Sequence, residues 1–388
     1  LKPDGNRPLS ALHTPELDGV RGLAILMVVL FHVFRPKLDG TPWQFLMLPA
    51  KLGWAGVDLF FVLSGFLIAG ILLDNRHAGN YYQVFYARRS LRILPLYSFW
   101  LLGFFILWGV LHPLPGTPRY DNFGMILSPV SYLTFSQNIA VAVSGNVGAQ
   151  WMGPTWSLAV EEQFYLLLPL IVRYASRDSL WRGALGAIVL APFFRYLAFY
   201  TMTAVAPYFL LPCRMDALAW GVLLALVTRD GARGATGKWL RIFGPVAAVV
   251  CFAVIAGYLW QGELPGHWNA IVMPSVTALL SAVFLAWLIL TGSGNREWLR
   301  SGGLPKLGTV TFGLYMVHQG INHLFHDLLL GALPGASTPV ALLVTGLAGT
   351  TSILLAIASW RWFEKPITDW GRHRFRYSHE TPRILVAA

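Results

Sequence analysis

Charge is scarce in this chain. Only 12% of its 388 residues are charged against 55% hydrophobic, about half the charge density of an ordinary soluble domain. That balance excludes a disordered chain and a simple soluble enzyme. Cysteine is scarcer still: Cys213 and Cys251 both sit inside apolar runs, which excludes a disulfide framework and a Cys-based metal site. Leu1 to Leu17 contain no short apolar segment followed by a small-residue cleavage site, so no removable signal peptide is expected. Neither a fixed-period repeat nor a low-complexity linker divides the chain, and one domain over residues 1–388 is expected, with a short basic cytoplasmic tail from about 367.

The apolar residues gather in runs of about 18 to 23, each long enough at 1.5 Å per residue to cross a bilayer core of about 30 Å. Helical spans are expected near 19–35, 55–73, 93–112, 156–173, 183–202, 207–227, 240–260, 270–290, 306–330 and 338–362. The 29 Lys+Arg against 18 Asp+Glu leave a formal charge of +11. In a soluble domain that excess would point to nucleic acid; among membrane spans it reads as a basic cytoplasmic face, and no nucleic-acid partner is expected.

Loop charge orients the spans, because connections rich in Lys and Arg stay in the cytoplasm. The connections 74–92 (Arg76, Arg88, Arg89, Arg92), 173–182 (Arg173, Arg177, Arg182), 228–241 (Arg229, Arg233, Lys238, Arg241) and 292–306 (Arg296, Arg300, Lys306) are basic. Those at 203–206, 261–269 and 331–337 have no Lys or Arg, and 113–122 has only Arg119. The alternation holds only if the polar-rich stretch Met125 to Val143 does not cross. The one blemish is the external connection Arg35 to Trp54, which carries Arg35, Lys37 and Lys51. The expected fold is therefore all-α: a polytopic membrane helical bundle of about ten transmembrane helices with one re-entrant or external interfacial segment, both termini cytoplasmic, in a bacterial inner membrane.

Ionisable residues inside spans are expensive and are functional candidates by default. Arg21 and His32 are eleven residues apart, about 20° past three full helical turns, so they share one face at about 16 Å separation. Asp58 sits near the start of its span and needs a cationic partner such as His or Arg, while Ser64 and Gly65 leave that helix a small face for close packing. Glu161 and Glu162 are adjacent, hence about 100° apart, and cannot both face one narrow site. One would act on substrate while the other holds a structural Arg. Arg214 and Asp216, two residues apart, are each expected to pair with another helix. His318 has no acidic neighbour in its own helix, and Glu364 and Lys365 before Pro366 read as the capped end of the last span. Arg89 and Arg92 share a helix face and form a fork suited to phosphate oxygens.

These residues fall in a recognisable order. Leu17-Asp18-Gly19-Val20-Arg21-Gly22-Leu23-Ala24 with Leu30-Phe31-His32 resembles the Arg-x10-His signature of membrane-bound acyltransferase family 3. Gly56 to Ile68, Arg89-x-x-Arg92 with Ile93-Leu94-Pro95-Leu96-Tyr97, Trp156 to Tyr165, Arg214 to Ala217, Leu314-Tyr315-Met316-Val317-His318 and Glu364-Lys365-Pro366 are similar to its other hallmarks. The resemblance implies transfer of an acyl group, acetyl above all, from cytoplasmic acyl-CoA to a hydroxyl of a polysaccharide, glycan or other acceptor. No metal is implied. Some members append an SGNH hydrolase-like domain; with the sequence ending soon after Pro366, none is expected here.

On that reading Arg89 and Arg92, helped by Arg21, hold the CoA phosphates, and His32 serves as general base or transient acyl carrier. Asp58 or Glu161 orients His32. Ser64, Arg214, Asp216, Tyr315 and His318 act on substrate or as structural support. The rival class is a secondary transporter, whose pathway also uses buried ionisable residues. Such proteins often carry two related halves, and no internal symmetry is found here.

Overall fold

The computed structural model of the chain describes residues 15–34, 48–111, 127–229, 233–260, 266–290, 296–335 and 338–378. Arg35, Lys37, the connection 113–122 with its Arg119, and the first two residues of the 125–143 stretch lie outside the described residues. Ten long helices run through the described chain: α1 (Pro15–Phe34), α2 (Ala55–Asp74), α3 (Tyr81–Leu111), α4 (Thr155–Tyr174), α5 (Arg177–Thr201), α6 (Leu211–Val227), α7 (Arg233–Trp260), α8 (Met273–Leu290), α9 (Thr311–Leu330) and α10 (Pro339–Ser359). No strand occurs among the described residues. Helices satisfy their own backbone groups, as a chain crossing hydrocarbon must.

The ten expected spans all fall on these helices; among the described residues, length and apolar content qualify six of them to cross: α2, α3, α5, α6, α8 and α10. Three of the other four carry the polar residues singled out above: Arg21 and His32 on α1, Glu161 and Glu162 on α4, and His318 on α9. Among the described side chains of α7, Ile242–Gly257 form an apolar stretch.

Helix α2 is strongly apolar and mostly buried, packed against α1, α4, α6 and α8. Such a helix belongs in the centre. Its tightest neighbour is α6, because a Cβ on Gly65 would strike the Leu218 carbonyl, and one on Gly221 would strike that of Val62. The small face expected around Ser64 and Gly65 is thus matched by Gly221, and the two backbones touch as in small-residue membrane crossings. At the periphery, Phe99 and Ile106 of α3, Val189 and Phe193 of α5, and Leu343 and Leu354 of α10 point outward. Apolar side chains so exposed suit a lipid surround.

Within the 125–143 stretch lie two short helices, Pro129–Leu133 and Gln137–Ser144. The longer has 8 residues, about 12 Å at 1.5 Å per residue, far short of a bilayer core. Its polar side chains are used in packing: Gln137 Nε2 donates to the Thr155 carbonyl at 2.9 Å, and Gln163 Nε2 to Asn138 Oδ1 at 2.9 Å.

The last span does not end at Glu364 and Lys365, as the sequence suggested. After α10 the chain makes a five-residue π turn, Trp360–Glu364, and continues as α11 (Lys365–Arg374). Pro366 has no N–H for the helical ladder, and the wider turn just ahead of it absorbs that loss. Part of the expected tail is therefore helix. It is pinned to the start of α3, where Arg88 donates to the Phe375 carbonyl at 2.7 Å and Asn80 Nδ2 to that of Arg376 at 2.8 Å.

Candidate active site

One cavity of about 360 Å³ opens among the ends of α1, α2, α3, α4, α9 and α11. Its cationic wall is built from Arg21 of α1, Arg89 and Arg92 of α3 and Arg372 of α11. Arg21 is paired with Asp18 at 2.6 Å, one turn earlier. Arg89 and Arg92, one turn apart as the sequence required, make no ion pair and no side-chain hydrogen bond among the described residues. Arg92 instead feels the like charges of Arg21, Arg89 and Arg372. Guanidiniums held together with their N–H groups unspent favour an anion between them.

Opposite stand Ser64 and Glu161. The Ser64 hydroxyl donates to Glu161 Oε1 at 2.7 Å, and Tyr165, one turn along α4, donates to Oε2 at 3.2 Å. Tyr165 also lies under Arg89, whose guanidinium carbon is 5.5 Å from the ring centroid, within cation–π range. The adjacent carboxylates thus divide as their 100° separation demands. Glu161 faces the cavity; Glu162 does not line it, and its Oε1 is buried without a hydrogen-bond partner.

His32 is not on the cavity wall. Its Nδ1 lies 3.0 Å from Nε2 of His318 on α9. The His318 Nδ1 is 3.1 Å from the Leu314 carbonyl oxygen and 2.9 Å from that of Tyr315. Tyr315 stands between the pair and the cavity: its ring is 5.9 Å from that of His318 and 6.2 Å from that of Phe60, and both Tyr315 and Phe60 line the cavity. The Tyr315 hydroxyl donates to the Pro154 carbonyl at 3.0 Å and also meets Ser157.

The carboxylates expected to orient His32 are engaged elsewhere. Asp58 forms a buried ion pair with Arg214 and accepts from Thr277 at 2.6 Å. Glu161 is held by Ser64 and Tyr165. Arg214 and Asp216 do pair with other helices, as their spacing implied: Arg214 with α2, and Asp216 with Arg195 of α5 at 2.9 Å. Arg195 also donates to the Cys213 carbonyl at 2.6 Å and that of Ile271 at 2.8 Å, which makes it a lock between α5, α6 and the short helix Gly266–Ile271 that precedes α8. These two ion pairs lie outside the cavity wall.

The sequence reading gave Tyr165 and Glu364 no role in a site and did not single out Thr368 or Arg372. The last three all line the cavity, and a signal for them existed: 364, 368 and 372 are spaced by four, one face of a helix. Reading Pro366 as a helix end hid that stripe. Among the described residues no group of three or more His, Cys, Asp or Glu stands together as metal ligands would.

Comparison with known proteins gives this geometry a family. The model of the acyltransferase 3 family, described as an acyltransferase domain, matches residues 14–359. The chain belongs to acyltransferase family 3. It is an acyltransferase and an integral membrane protein, and the transporter reading is not favoured. Among relatives, acyltransferase MdmB of Streptomyces mycarofaciens is 28% identical over 84% of this chain and 83% of its own length. O-acetyltransferase OatA of Staphylococcus aureus is 23% identical over 95% of this chain but only 59% of its own. Peptidoglycan O-acetyltransferase OatA of Listeria monocytogenes is 24% identical over 93% and 57%. The chain thus spans less than two thirds of the OatA proteins it matches. No solved structure matches it. The matched region contains every motif residue up to Tyr315 and His318, while Glu364 and Arg372 lie beyond it.

Proposed function

We propose that this acyltransferase moves an acyl group, acetyl above all, from acyl-CoA at the cytoplasmic face of a bacterial inner membrane to a hydroxyl of a glycan. The acceptor class rests on the names of the peptidoglycan O-acetyltransferases it resembles. The catalytic unit is one domain over residues 1–388, with both termini and a short basic tail from about 367 on the donor side. The observation that carries this reading is the pair Arg89 and Arg92: two guanidiniums lining a cavity with no carboxylate on either. Phosphate oxygens are the acceptors such a fork fits. Arg21 and Arg372 add charge, and Glu161 with Tyr165 holds Arg89 in place.

The pantetheine arm of the donor runs from the arginines past Phe60 and Tyr315 toward His32. There the imidazole removes the proton of the acceptor hydroxyl as its oxygen attacks the thioester carbon. The C–O bond forms, the C–S bond breaks, and the CoA sulfur takes up the proton. A transient acyl-imidazole on His32 is the second course open to the same side chain. Asp58, Arg214 and Asp216 support the bundle on this reading and take no part in the transfer.

The experiment is acetyl-CoA binding and CoA release by the purified protein in detergent. His32→Ala is expected to bind the donor and not turn over, and Arg89→Ala to bind it weakly. Normal turnover by a folded His32→Ala variant overturns the assignment of His32, and unaltered binding by Arg89→Ala overturns the donor site.

A further inference from the structure

A transfer reaction needs a place for its second substrate, and the arginine-lined cavity accounts for the first. A second cavity, a slot of about 90 Å³, lies between α1, α9 and α10. The two use different parts of the same helices. On α1 the arginine cavity is lined by Asp18 and Arg21, and the slot by Leu26, Val29 and Val33. On α9 the first is lined by Phe312 and Tyr315, and the second by Leu314, His318 and Asn322, which are spaced by four and share a face. His318 is thus part of the slot wall while its Nε2 lies 3.0 Å from Nδ1 of His32. Tyr315, whose ring is 5.9 Å from that of His318, belongs to the donor side. The histidine pair therefore stands between the two cavities.

Most of the slot lining is hydrocarbon, and Leu26 and Ile353 at its rim are exposed on the outside of the bundle, so it opens toward lipid. Its polar side chains are engaged, with one exception among the described residues. Ser352 donates to the Ala348 carbonyl at 2.8 Å, Thr345 Oγ1 lies 2.9 Å from Nε2 of His326, and Nδ1 of His318 meets two carbonyls. Asn322 is only 6% exposed, and its Oδ1 is buried without a hydrogen-bond partner. A buried polar atom left unpaired is costly, and a ligand with a matching group relieves that cost. Neither the acyl chain of a donor nor the tail of a bulk lipid has one to offer. A hydroxyl does, and because it both donates and accepts, it satisfies the carboxamide in either orientation.

We propose that the slot is the acceptor subsite: it takes the hydrocarbon chain of an acceptor arriving from the bilayer, and Asn322 binds a hydroxyl of that acceptor beside the histidine pair. The inference rests on the reading of the protein as a glycan acyltransferase with His32 as base, and adds that the glycan is carried on a hydrocarbon chain. An apolar cavity of about 150 Å³ takes a benzene. The smaller slot therefore takes a short run of methylenes, and a sugar ring, larger than benzene, reaches in by a hydroxyl only.

The test offers the full-length protein acetyl-CoA with either n-octyl β-glucoside or methyl β-glucoside, which share their hydroxyls and differ in the chain. An amine-oxide detergent is used because it has no alcohol group. Transfer moves acetyl to a sugar oxygen and releases CoA as the thiol. Gly349→Leu fills the slot: Gly349 lines it, and a Cβ there meets nothing within 4 Å, so the fold is kept. Wild type is expected to show a KM at least tenfold lower for the octyl compound, and Gly349→Leu to lose that preference. Asn322→Ala should raise KM for octyl glucoside about fivefold, the worth of one hydrogen bond. Both variants should bind acetyl-CoA as wild type does. An octyl glucoside with a photoactivatable diazirine at its chain end should label the slot-lining peptides of α1 and α10, and Gly349→Leu should cut that labelling at least tenfold.

No label in the slot overturns the proposal, as does an octyl preference that survives Gly349→Leu. An unchanged KM in Asn322→Ala does the same, since a water would then satisfy the amide. If Gly349→Leu alters the choice between acetyl-CoA and hexanoyl-CoA instead, the slot holds the donor's acyl chain and the proposal fails. If wild type acetylates neither glucoside, it is the glycan-transfer reading that has failed, and the labelling alone then decides whether the slot binds a hydroxyl-bearing amphiphile.

Discussion

Replacing Asp58 by Asn separates its two possible roles. As a catalytic carboxylate, its loss would stop turnover and leave the fold alone. The geometry argues the reverse. Asp58 and Arg214 are about 1% and 0% exposed and form an ion pair near the N-terminal ends of α2 and α6, about two turns before the close approach of Gly65 and Gly221. Two of the three guanidinium nitrogens of Arg214, Nε and Nη1, are already buried without a hydrogen-bond partner, and the cation also lies over the faces of Tyr208 and Phe61. Removing the carboxylate leaves a buried cation uncompensated, which costs about 3–5 kcal/mol. At about 1.4 kcal/mol per decade, that is a shift of at least 100-fold in the unfolding equilibrium. The loss is measurable by denaturant unfolding in detergent, followed through the 16 tryptophans. Replacing both partners, as in Asp58→Leu with Arg214→Met, removes both buried charges, and most of the lost stability should return. Per folded molecule, Asp58→Asn should keep turnover within an order of magnitude of wild type. Wild-type stability with turnover reduced 100-fold would refute this reasoning and return Asp58 to the chemistry.

Two further outcomes follow from the cavity. Arg372 is more than half exposed, so solvent screens it, and its contribution to phosphate binding should be about 1 kcal/mol. Arg372→Ala should therefore weaken acetyl-CoA binding about fivefold, with a smaller loss at high salt; calorimetry showing no change would remove α11 from the donor site. The two carboxylates should also differ, because only Glu161 faces the cavity and holds Tyr165 under Arg89. Glu161→Gln should raise KM for acetyl-CoA at least tenfold more than Glu162→Gln does, and equal effects would contradict the orientation of α4.

What the sequence revealed was what is local to one helix. The apolar runs located the ten helices, the eleven-residue spacing put Arg21 and His32 on one face of α1, and the three-residue spacing made the fork of Arg89 and Arg92. Even the division between Glu161 and Glu162 was implied by their 100° separation, although which of them faced the cavity was not, because that depends on how α4 is rotated against α2. Partners were the part out of reach. Asp58 finds Arg214 156 residues away, and His32 finds His318 286 residues away; pairings of that range are set by which helices touch. Charge complementarity misled here in a specific way. In a span, a carboxylate and a histidine look like natural partners, yet an arginine offers the carboxylate a permanent charge and several donors, and so takes it first. The histidine lies against another histidine, His318, a contact that no charge pattern in the sequence signals. The same reasoning explains Arg372. A proline ordinarily ends a helix, so residues beyond Pro366 looked like tail, whereas the π turn at Trp360–Glu364 carries the helix through and brings a fourth guanidinium to the cavity. A polar stripe spaced by four on both sides of a proline is thus evidence that the helix continues, and it is the stripe, not the proline, that a reader of such a sequence should follow.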